Sequence, residues 1–211
     1  MTYNPHLDQP VDHLGVPLPQ ARAAVIALHG RGGDPGSILD VGRRIGFGDL
    51  AWLAPAAQEN SWYPDAFTAP LENNEPALTW TLERIATLLD EAAGHGLGAE
   101  RIVLLGFSQG ACAAAEYAVR NARRYGGLVL FSGGLMGPPG TRWDLSGGFD
   151  GMPALVGSAR EDPQVPVQRL LETRDVLRAM DAVVTEHFYD GPGHLVSDGE
   201  IDAARAIMER L

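Results

Sequence analysis

Lysine is absent from this sequence, because all 16 basic residues among its 211 are arginine. The absence excludes Schiff-base chemistry on a lysine, a Walker-type phosphate-binding lysine and a lysine general base. Its simplest cause is the base composition of the genome, since 27 acidic residues are not the extreme content that adaptation to salt would favour.

Cysteine is nearly absent as well, with Cys112 as the single thiol of the chain. One cysteine cannot build a disulfide framework within the chain or a cysteine-rich metal cluster. The patterns His-Glu-x-x-His and His-x-His are also missing from the sequence. We therefore expect neither structural disulfides nor a catalytic metal.

Positive charge and long apolar runs are both scarce. Sixteen basic and 27 acidic residues give a formal net charge of −11, and such a surface repels phosphates, so nucleic acid is not an expected partner. The longest apolar runs, such as residues 23–28, are far shorter than the roughly 20 residues of a membrane span. The first residues lack the basic and apolar regions of a signal peptide, so a cytoplasmic protein is expected.

The composition is otherwise that of a globular protein, with 45% hydrophobic and 20% charged residues. The length predicts a single domain over residues 1–211, in which the proline-rich residues 1–20 form an extended lead-in. Runs that are apolar throughout, rather than alternating, predict parallel strands covered on both faces. These runs are residues 23–28, 51–54, 101–107, 127–131, 153–156 and 183–189.

Helical patterns lie between or after several of these strands, at residues 76–93, 109–124, 165–180 and 201–211. Ser197 and Glu200 have the spacing of a capping box at the start of the last helix. The alternation predicts an α/β fold, with a mostly parallel sheet and helices on both faces. The longest stretch without an element, residues 55–75, is a candidate functional loop.

The sharpest chemical pattern is GFSQG at residues 106–110, directly after an apolar strand and directly before an alanine-rich helix. G-x-S-x-G in this context is typical of a nucleophile elbow, a sharp turn that presents the serine hydroxyl at the end of the strand. The glycines keep the crowded turn free of side-chain clashes. Ser108 is therefore the candidate nucleophile.

A serine nucleophile needs a base, and on this kind of fold the chain order is serine, acid, histidine. Only His187 and His194 follow Ser108. His194 lies in a glycine-rich loop just past the last predicted strand, where its side chain can reach over the sheet edge. His187 lies within that strand, so His194 is the candidate base.

The acid is expected at the carboxyl edge of the sheet, where catalytic residues of open α/β folds gather. Glu161 and Asp162 both follow the predicted strand at residues 153–156. Pro163 directly after Asp162 favours Asp162 as a carboxylate fixed by a turn, with Glu161 as its competitor. Asp144 and Asp150 precede that strand and are weaker candidates. The acid would hold the imidazole and stabilise its protonated form.

A tetrahedral intermediate also needs two backbone N–H donors. One is expected from Gln109 and the other from the glycine-rich loop at residues 28–34. That loop does not fit the dinucleotide pattern G-x-G-x-x-G, because Pro35 stands at the third glycine position. In the long loop, Trp62 and Tyr63 are candidate walls of a substrate pocket.

Four segments together resemble the phospholipase/carboxylesterase family of small α/β-hydrolases, which includes bacterial carboxylesterases and acyl-protein thioesterases. The segments are LHGRGGD at residues 28–34, GFSQG at 106–110, DPQVP at 162–166 and GHLVS at 193–197. They occur in the family's order, and the resemblance runs from about residue 20 to the end of the chain. It implies an α/β-hydrolase fold without a cofactor and without a large lid domain.

The resemblance also implies roles for individual residues. Ser108 would be the nucleophile, Asp162 the acid and His194 the base, with the amides of Arg31 and Gln109 as the oxyanion hole. Acyl-protein thioesterases typically carry an apolar residue where this chain has Arg31. A guanidinium at that place argues against a long apolar acyl channel.

These observations favour a serine carboxylesterase that acts on short-chain or polar esters, with a small-molecule ester as partner and a monomeric or homodimeric state left open. An acyl-protein thioesterase or lysophospholipase that takes longer acyl chains is the alternative within the same chemistry. A non-catalytic ligand-binding α/β-hydrolase is a remote alternative, because fold alone does not fix function.

Overall fold

A seven-stranded sheet forms the centre of the computed structural model, which describes residues 3–211. The strand order is β1-β3-β2-β4-β5-β6-β7. Only β1 runs antiparallel, against β3, so the carboxyl ends of β2 to β7 meet at one edge. The strands are β1 (Val11–Gly15), β2 (Ala24–Leu28), β3 (Ala51–Pro55), β4 (Ile102–Phe107), β5 (Gly127–Phe131), β6 (Pro153–Glu161) and β7 (Val183–Pro192).

Helices cover both faces of this sheet. They are α1 (Pro35–Ile45), α2 (Ala77–Gly94), α3 (Gln109–Arg120), α4 (Val167–Ala179) and α5 (Asp198–Met208). Apolar side chains of α2, α3 and α4 pack on one face, and those of α1 and α5 pack on the other. Because both faces are buried, the central strands are apolar at every position. The predicted α/β-hydrolase architecture is confirmed.

Two elements, β1 and α1, were not predicted from the sequence patterns. β1 lies inside residues 1–20, which were expected to be only an extended lead-in, and it pairs with β3 at the sheet edge. As an edge strand it buries few side chains, so it lacks the continuous apolar run that predicted the others. α1 was not predicted, because Gly36 and Gly42 interrupt its helical pattern. The N-terminal signals are nevertheless present, since Asp34 caps the first turn and Pro35 occupies a position that proline favours.

Element ends also differ from the predictions. β6 continues to Glu161, so this residue lies in the strand and not in the loop beyond it. α3 ends at Arg120 rather than at residue 124, and α5 begins at Asp198 with the predicted capping box of Ser197 and Glu200 formed. Within residues 3–211, the longest stretch without helix or strand is 132–152, while the loop at 55–75 contains two short 3-10 turns.

Among the residues that the structure describes, no helix combines the length and the apolar character that crossing a bilayer requires.

Candidate active site

Ser108 stands at the turn between β4 and α3, at the carboxyl edge of the sheet. Its φ of 54° lies in the region that favours glycine, and its amide donates a hydrogen bond to the carbonyl of Phe131 at 2.8 Å. A non-glycine residue held at positive φ carries backbone strain of roughly 1–3 kcal/mol. The turn is the sharp elbow that the GFSQG pattern predicts.

The two glycines of the pattern are required by close backbone approaches. A Cβ on Gly106 would lie 2.4 Å from the carbonyl oxygen of Gly110, and a Cβ on Gly110 would lie 2.3 Å from the carbonyl oxygen of Leu28. Both distances are far inside van der Waals contact. The pattern therefore needs glycine at both positions, because the start of α3 lies directly against the ends of β2 and β4.

Three predicted side chains form one continuous hydrogen-bonded chain. His194 follows β7 and places its Nε2 2.8 Å from Oγ of Ser108. Its Nδ1 lies 2.8 Å from Oδ2 of Asp162, which follows β6. The serine, histidine and carboxylate thus have the mutual geometry of an activated nucleophile, its base and an orienting acid.

The Asp162 carboxylate is held by more than the histidine. Its side chain has 0% exposure, and its Oδ1 accepts hydrogen bonds from the amides of Gln164 at 2.8 Å and Val165 at 3.1 Å. Ser158 Oγ donates to Oδ2 at 3.2 Å. Burial alone would raise the pKa of Asp162, but the hydrogen bonds from His194, Gln164 and Val165 hold that pKa below its ordinary value. A negative charge is therefore maintained beside the imidazole.

The competing candidates lie elsewhere. Glu161 is exposed at the end of β6, and His187 lies in β7 with its ring against Gly199. Asp150 precedes the amino end of β6, at the opposite sheet edge, and lies 3.9 Å from Arg124. Asp144 accepts hydrogen bonds from Ser146 in the same connecting segment.

The two residues expected to supply the oxyanion donors border the same hollow as Ser108. Gln109 is the first residue of α3, where backbone N–H groups point out of the helix toward negative charge. Arg31 lies in the loop after β2. Within residues 3–211, the amides of Arg31 and Gln109 have no protein acceptor, so both are available to an oxyanion.

His29 shapes the loop that carries Arg31. The ring is fully buried, with Nδ1 2.7 Å from the carbonyl oxygen of Gly30 and Nε2 3.1 Å from the amide of Ala57. These partners assign the proton to Nδ1, which donates, while Nε2 accepts. Burial lowers the pKa of His29, so the ring stays neutral and its hydrogen bonds persist.

Two hollows flank the three side chains. The first, here called the serine cleft, has a volume of about 280 Å³ and is bordered by Ser108, Tyr63, Phe67, Cys112, Val165 and Thr68, among others. The second, here called the histidine groove, has a volume of about 310 Å³ and is bordered by His194, Phe107, Ile38, Val41, Leu195 and Val196, among others. Arg31 borders both.

Of the two predicted pocket walls, only Tyr63 lines the serine cleft. The expectation for Trp62 is not met, because this side chain is fully buried beneath the loop. Its indole N–H donates to the carbonyl of His29 at 2.8 Å, which ties the long loop to the oxyanion loop. Trp62 therefore does not line the serine cleft but stabilises the loop that does.

The side chain of Gln109 has a role that the sequence pattern did not reveal. Its Oε1 accepts a hydrogen bond from the amide of Trp62 at 2.9 Å, and its Nε2 donates to the carbonyl of Tyr63 at 2.7 Å. The glutamine thereby fixes the candidate functional loop to the elbow. The sequence feature that could have indicated this contact is a glutamine, with its amide side chain, directly after Ser108.

Arg31 brings a fixed positive charge to the mouth of the cleft. Its guanidinium donates to the carbonyls of Pro64 at 2.8 Å and Asp65 at 2.7 Å, and lies 5.8 Å from the ring centroid of Tyr63. Among the described residues no carboxylate lies within ion-pair distance of this group. Within the same residues, no cluster of three or more histidine, cysteine, aspartate or glutamate side chains has the arrangement of a metal site.

Glu200 is a buried carboxyl group beside Gly157 of β6. Its Oε2 accepts hydrogen bonds from the amide and hydroxyl of Ser197, both at 2.8 Å. Its Oε1 is buried without a hydrogen-bond partner among the described residues. Burial raises the pKa of Glu200 to about 7, against the lowering effect of the Ser197 hydrogen bonds.

Glu200 is expected to make stability fall as the pH rises. A carboxyl group with a higher pKa in the folded than in the unfolded protein stabilises the fold fully below its unfolded value, and the contribution is lost as the pH passes the folded value of about 7. Between about pH 5 and about pH 8 this loss amounts to about 2 kcal/mol. Glu200→Gln keeps the acceptor for Ser197 but cannot ionise, so the wild type should lose about that much stability relative to the variant in urea unfolding.

Glu209→Gln, at the exposed end of the same helix region, controls for the removal of a carboxylate. The same difference between wild type and E200Q at both pH values would contradict this account of Glu200.

Comparison with known proteins identifies a matching family and related chains. A family model described as Phospholipase/Carboxylesterase matches residues 16–210. Acyl-protein thioesterase 1 of Eremothecium gossypii is 28% identical over 134 residues, which cover 61% of this chain and 55% of that protein. The match thus spans about half the length of that relative.

Solved structures are similar over nearly the whole chain. The crystal structure of a phospholipase/carboxylesterase from Dyadobacter fermentans has a TM-score of 0.89 and 37% identity, and covers 96% of this chain and 97% of that chain. The Bacillus cereus carboxylesterase has a TM-score of 0.76 and 20% identity, over 96% of this chain and 94% of that chain. At 20% identity, the similarity to the Bacillus cereus carboxylesterase shows a shared fold alone.

Proposed function

The chain belongs to the phospholipase/carboxylesterase family, and from this premise we propose that it is a serine carboxylesterase for short-chain or polar esters. The observation that carries the proposal is the hydrogen-bonded chain from Ser108 through His194 to Asp162. The family and the similar structures indicate a hydrolase of esters or thioesters. The serine mechanism and the preference for short acyl groups are inferred from the site.

The proposed reaction has two halves. In acylation, Ser108 Oγ attacks the ester carbonyl while its proton moves to His194 Nε2, and the negative oxygen is held by the amides of Arg31 and Gln109. The bond to the alcohol oxygen then breaks, and that oxygen takes the proton from Nε2. In deacylation, water attacks the acyl-enzyme with the same histidine as base, which releases the acid and restores the serine.

The serine cleft supports a small acyl group. Its volume of about 280 Å³ lies just below the range of ligand pockets, which typically measure about 300–1,000 Å³. The buried Cys112 and Tyr63 lie at its inner wall, while Thr68 and Gln164 add polar groups. Burial raises the pKa of Cys112 to about 11, so its thiol is a neutral part of the wall.

Arg31 supports esters whose acyl part carries an acid group. The guanidinium donates to two neutral carbonyls and forms no ion pair within residues 3–211. Hydrogen bonds from Asn73 and Ala66, and to a smaller extent the charge of Arg31, lower the pKa of the nearby Asp65 carboxyl group. In a protein with a formal net charge of −11, a fixed cation at this place would favour a carboxylate over a neutral group. Such an ester would place its carboxylate near Arg31 and its carbonyl near Ser108.

The alternative function is an acyl-protein thioesterase or lysophospholipase. The match to acyl-protein thioesterase 1 of Eremothecium gossypii favours it. Against it stand the small serine cleft and the charge of Arg31, both of which disfavour a long apolar chain.

A p-nitrophenyl ester series from acetate to palmitate, with the hemisuccinate included, tests the proposal. We expect kcat/KM to be greatest between acetate and butyrate and at least about 10-fold lower for palmitate, because the longer chain has no apolar channel to fill. Arg31→Gln, which keeps the backbone amide, should lower the hemisuccinate-to-butyrate ratio of kcat/KM by about 10-fold. Faster turnover of palmitoyl esters or thioesters would contradict the short-chain proposal.

Arg101→Gln is the matched control for the charge of Arg31, since Arg101 precedes β4 at the opposite edge of the sheet. An equal fall of the ratio in both variants would mean that Arg31 acts only through the general field of the protein.

A further inference from the structure

The histidine groove is a second apolar hollow that the acyl group does not need. Ile38 and Val41 of α1 form one side of it, and Leu195 and Val196, which follow His194, form the other. Leu195 is 56% exposed, so its side chain presents apolar surface to solvent at the groove. The groove therefore offers a water-accessible apolar surface that begins at the imidazole.

The chemistry of acylation divides the substrate between the two hollows. The acyl carbon becomes bonded to Ser108 Oγ, so the acyl part lies on the side of the serine cleft, which Ser108 borders. The alcohol oxygen must reach His194 Nε2 to take its proton, and His194 borders the groove. The part of the substrate beyond that oxygen is thus directed toward the groove.

The floor of the groove next to the reacting atoms is aromatic. The Phe107 ring lies 4.9 Å from the His194 ring, between centroids, and both border the groove. An apolar body on the alcohol would contact Phe107 while its oxygen faces the imidazole.

The one arginine of α1 that borders the groove does not require an anionic ligand. The guanidinium of Arg44 donates to the carbonyl of Val196 at 3.0 Å and to the carboxylate of Asp198 at 2.9 Å. Its charge is therefore already balanced by a partner on α5. Arg31, which also borders the serine cleft, is the other arginine at the groove, and most of the remaining lining is apolar.

We infer that the histidine groove binds the alcohol part of the ester and selects alcohols with an apolar, aromatic or branched body. The inference rests on the proposed function, because it assigns the leaving group of the same reaction. Val41 and Leu195 are the side chains that would determine this selectivity, from opposite sides of the groove.

Methyl butyrate and benzyl butyrate, followed by acid release at constant pH, provide the test. The two esters share one acyl group, and their alcohols have similar acidity, so a difference in kcat/KM reports on contacts of the alcohol. For the wild type we expect a benzyl-to-methyl ratio of at least about 10, since even one methylene in an apolar pocket changes kcat/KM by about 10-fold or more. Val41→Trp, which fills the groove, should bring the ratio to about 1, and Leu195→Asp should at least halve it.

Val183→Trp is the matched control, because Val183 is an exposed valine at the amino end of β7, away from the carboxyl edge. It should keep the wild-type ratio. A wild-type ratio near 1, or an unchanged ratio in both groove variants, would overturn the inference. So would a Val41→Trp enzyme that discriminates against longer acyl groups rather than larger alcohols.

Hydroxylamine as a competing acceptor separates this inference from the proposed function. If both esters form the same butyryl-enzyme, the ratio of butyrohydroxamate to butyrate is equal for the two substrates. Different product ratios would overturn the acyl-enzyme itself and the groove assignment with it. Equal product ratios combined with no alcohol preference would overturn the groove assignment alone.

Discussion

Replacing Ser108 with alanine is expected to lower kcat/KM for p-nitrophenyl acetate by at least about 10³-fold. The hydroxyl is the group that His194 Nε2 meets at 2.8 Å, and no acyl-enzyme can form without it. The residual activity would come from the oxyanion donors and from substrate binding. Alanine removes one oxygen and keeps a Cβ at the positive φ of this position, so the fold should be retained.

Ser146→Ala is the control for Ser108→Ala. Ser146 is exposed and hydrogen-bonds to Asp144, far along the chain from the elbow. It should retain wild-type kcat/KM. A loss of less than about 10-fold in S108A, in a protein that unfolds at the wild-type temperature, would mean that another group performs the attack.

Replacing Asp162 with asparagine is expected to lower kcat by about 10³–10⁴-fold. An asparagine amide can donate to Nδ1 of His194, which would leave the proton on Nε2. The imidazole could then no longer accept the proton of Ser108, although its position is kept. Measurement of kcat for the same p-nitrophenyl ester tests this, with circular dichroism as the check on folding.

Glu161→Gln is the control for Asp162→Asn, since it changes the neighbouring carboxylate in the same chemical way. Glu161 is exposed, and we expect its replacement to change kcat by less than about 2-fold. A large loss in E161Q together with near-normal activity in D162N would assign the acid to Glu161 and contradict the geometry.

The sheet and the positions of Ser108 and His194 could be predicted because local sequence specifies them. Continuous apolar runs specified the buried strands, and the glycines around Ser108 specified a turn whose close approaches no other residue could fill. His194 followed from its place after the last strand. These features depend on residues near one another in the chain.

The choice of Asp162 over Glu161 rested on Pro163 and on the family resemblance, because the direction of each side chain depends on the path of β6. Adjacent residues of a strand point to opposite faces, so a shift of one position exchanges their directions. β6 has an irregular register with β7 between Ala159 and Glu161. This irregularity arises from pairing between strands and leaves no mark in the local sequence.

The orientation of Trp62 relative to the pocket likewise could not be predicted from local sequence. Its neighbour Tyr63 lines the cleft, whereas Trp62 is held beneath the loop by hydrogen bonds to His29 and Gln109, which are distant in sequence. The sequence indicated that aromatic residues gather in this loop. Which of them faces the substrate was decided by tertiary contacts.

Covalent labelling by a fluorophosphonate, read by intact mass and peptide mapping, tests whether Ser108 is an activated nucleophile. We expect one adduct per chain, on the peptide that contains Ser108, and no adduct in the Ser108→Ala variant. An adduct on another residue, or a folded wild-type protein that remains unlabelled, would contradict the claim that Ser108 is an activated nucleophile.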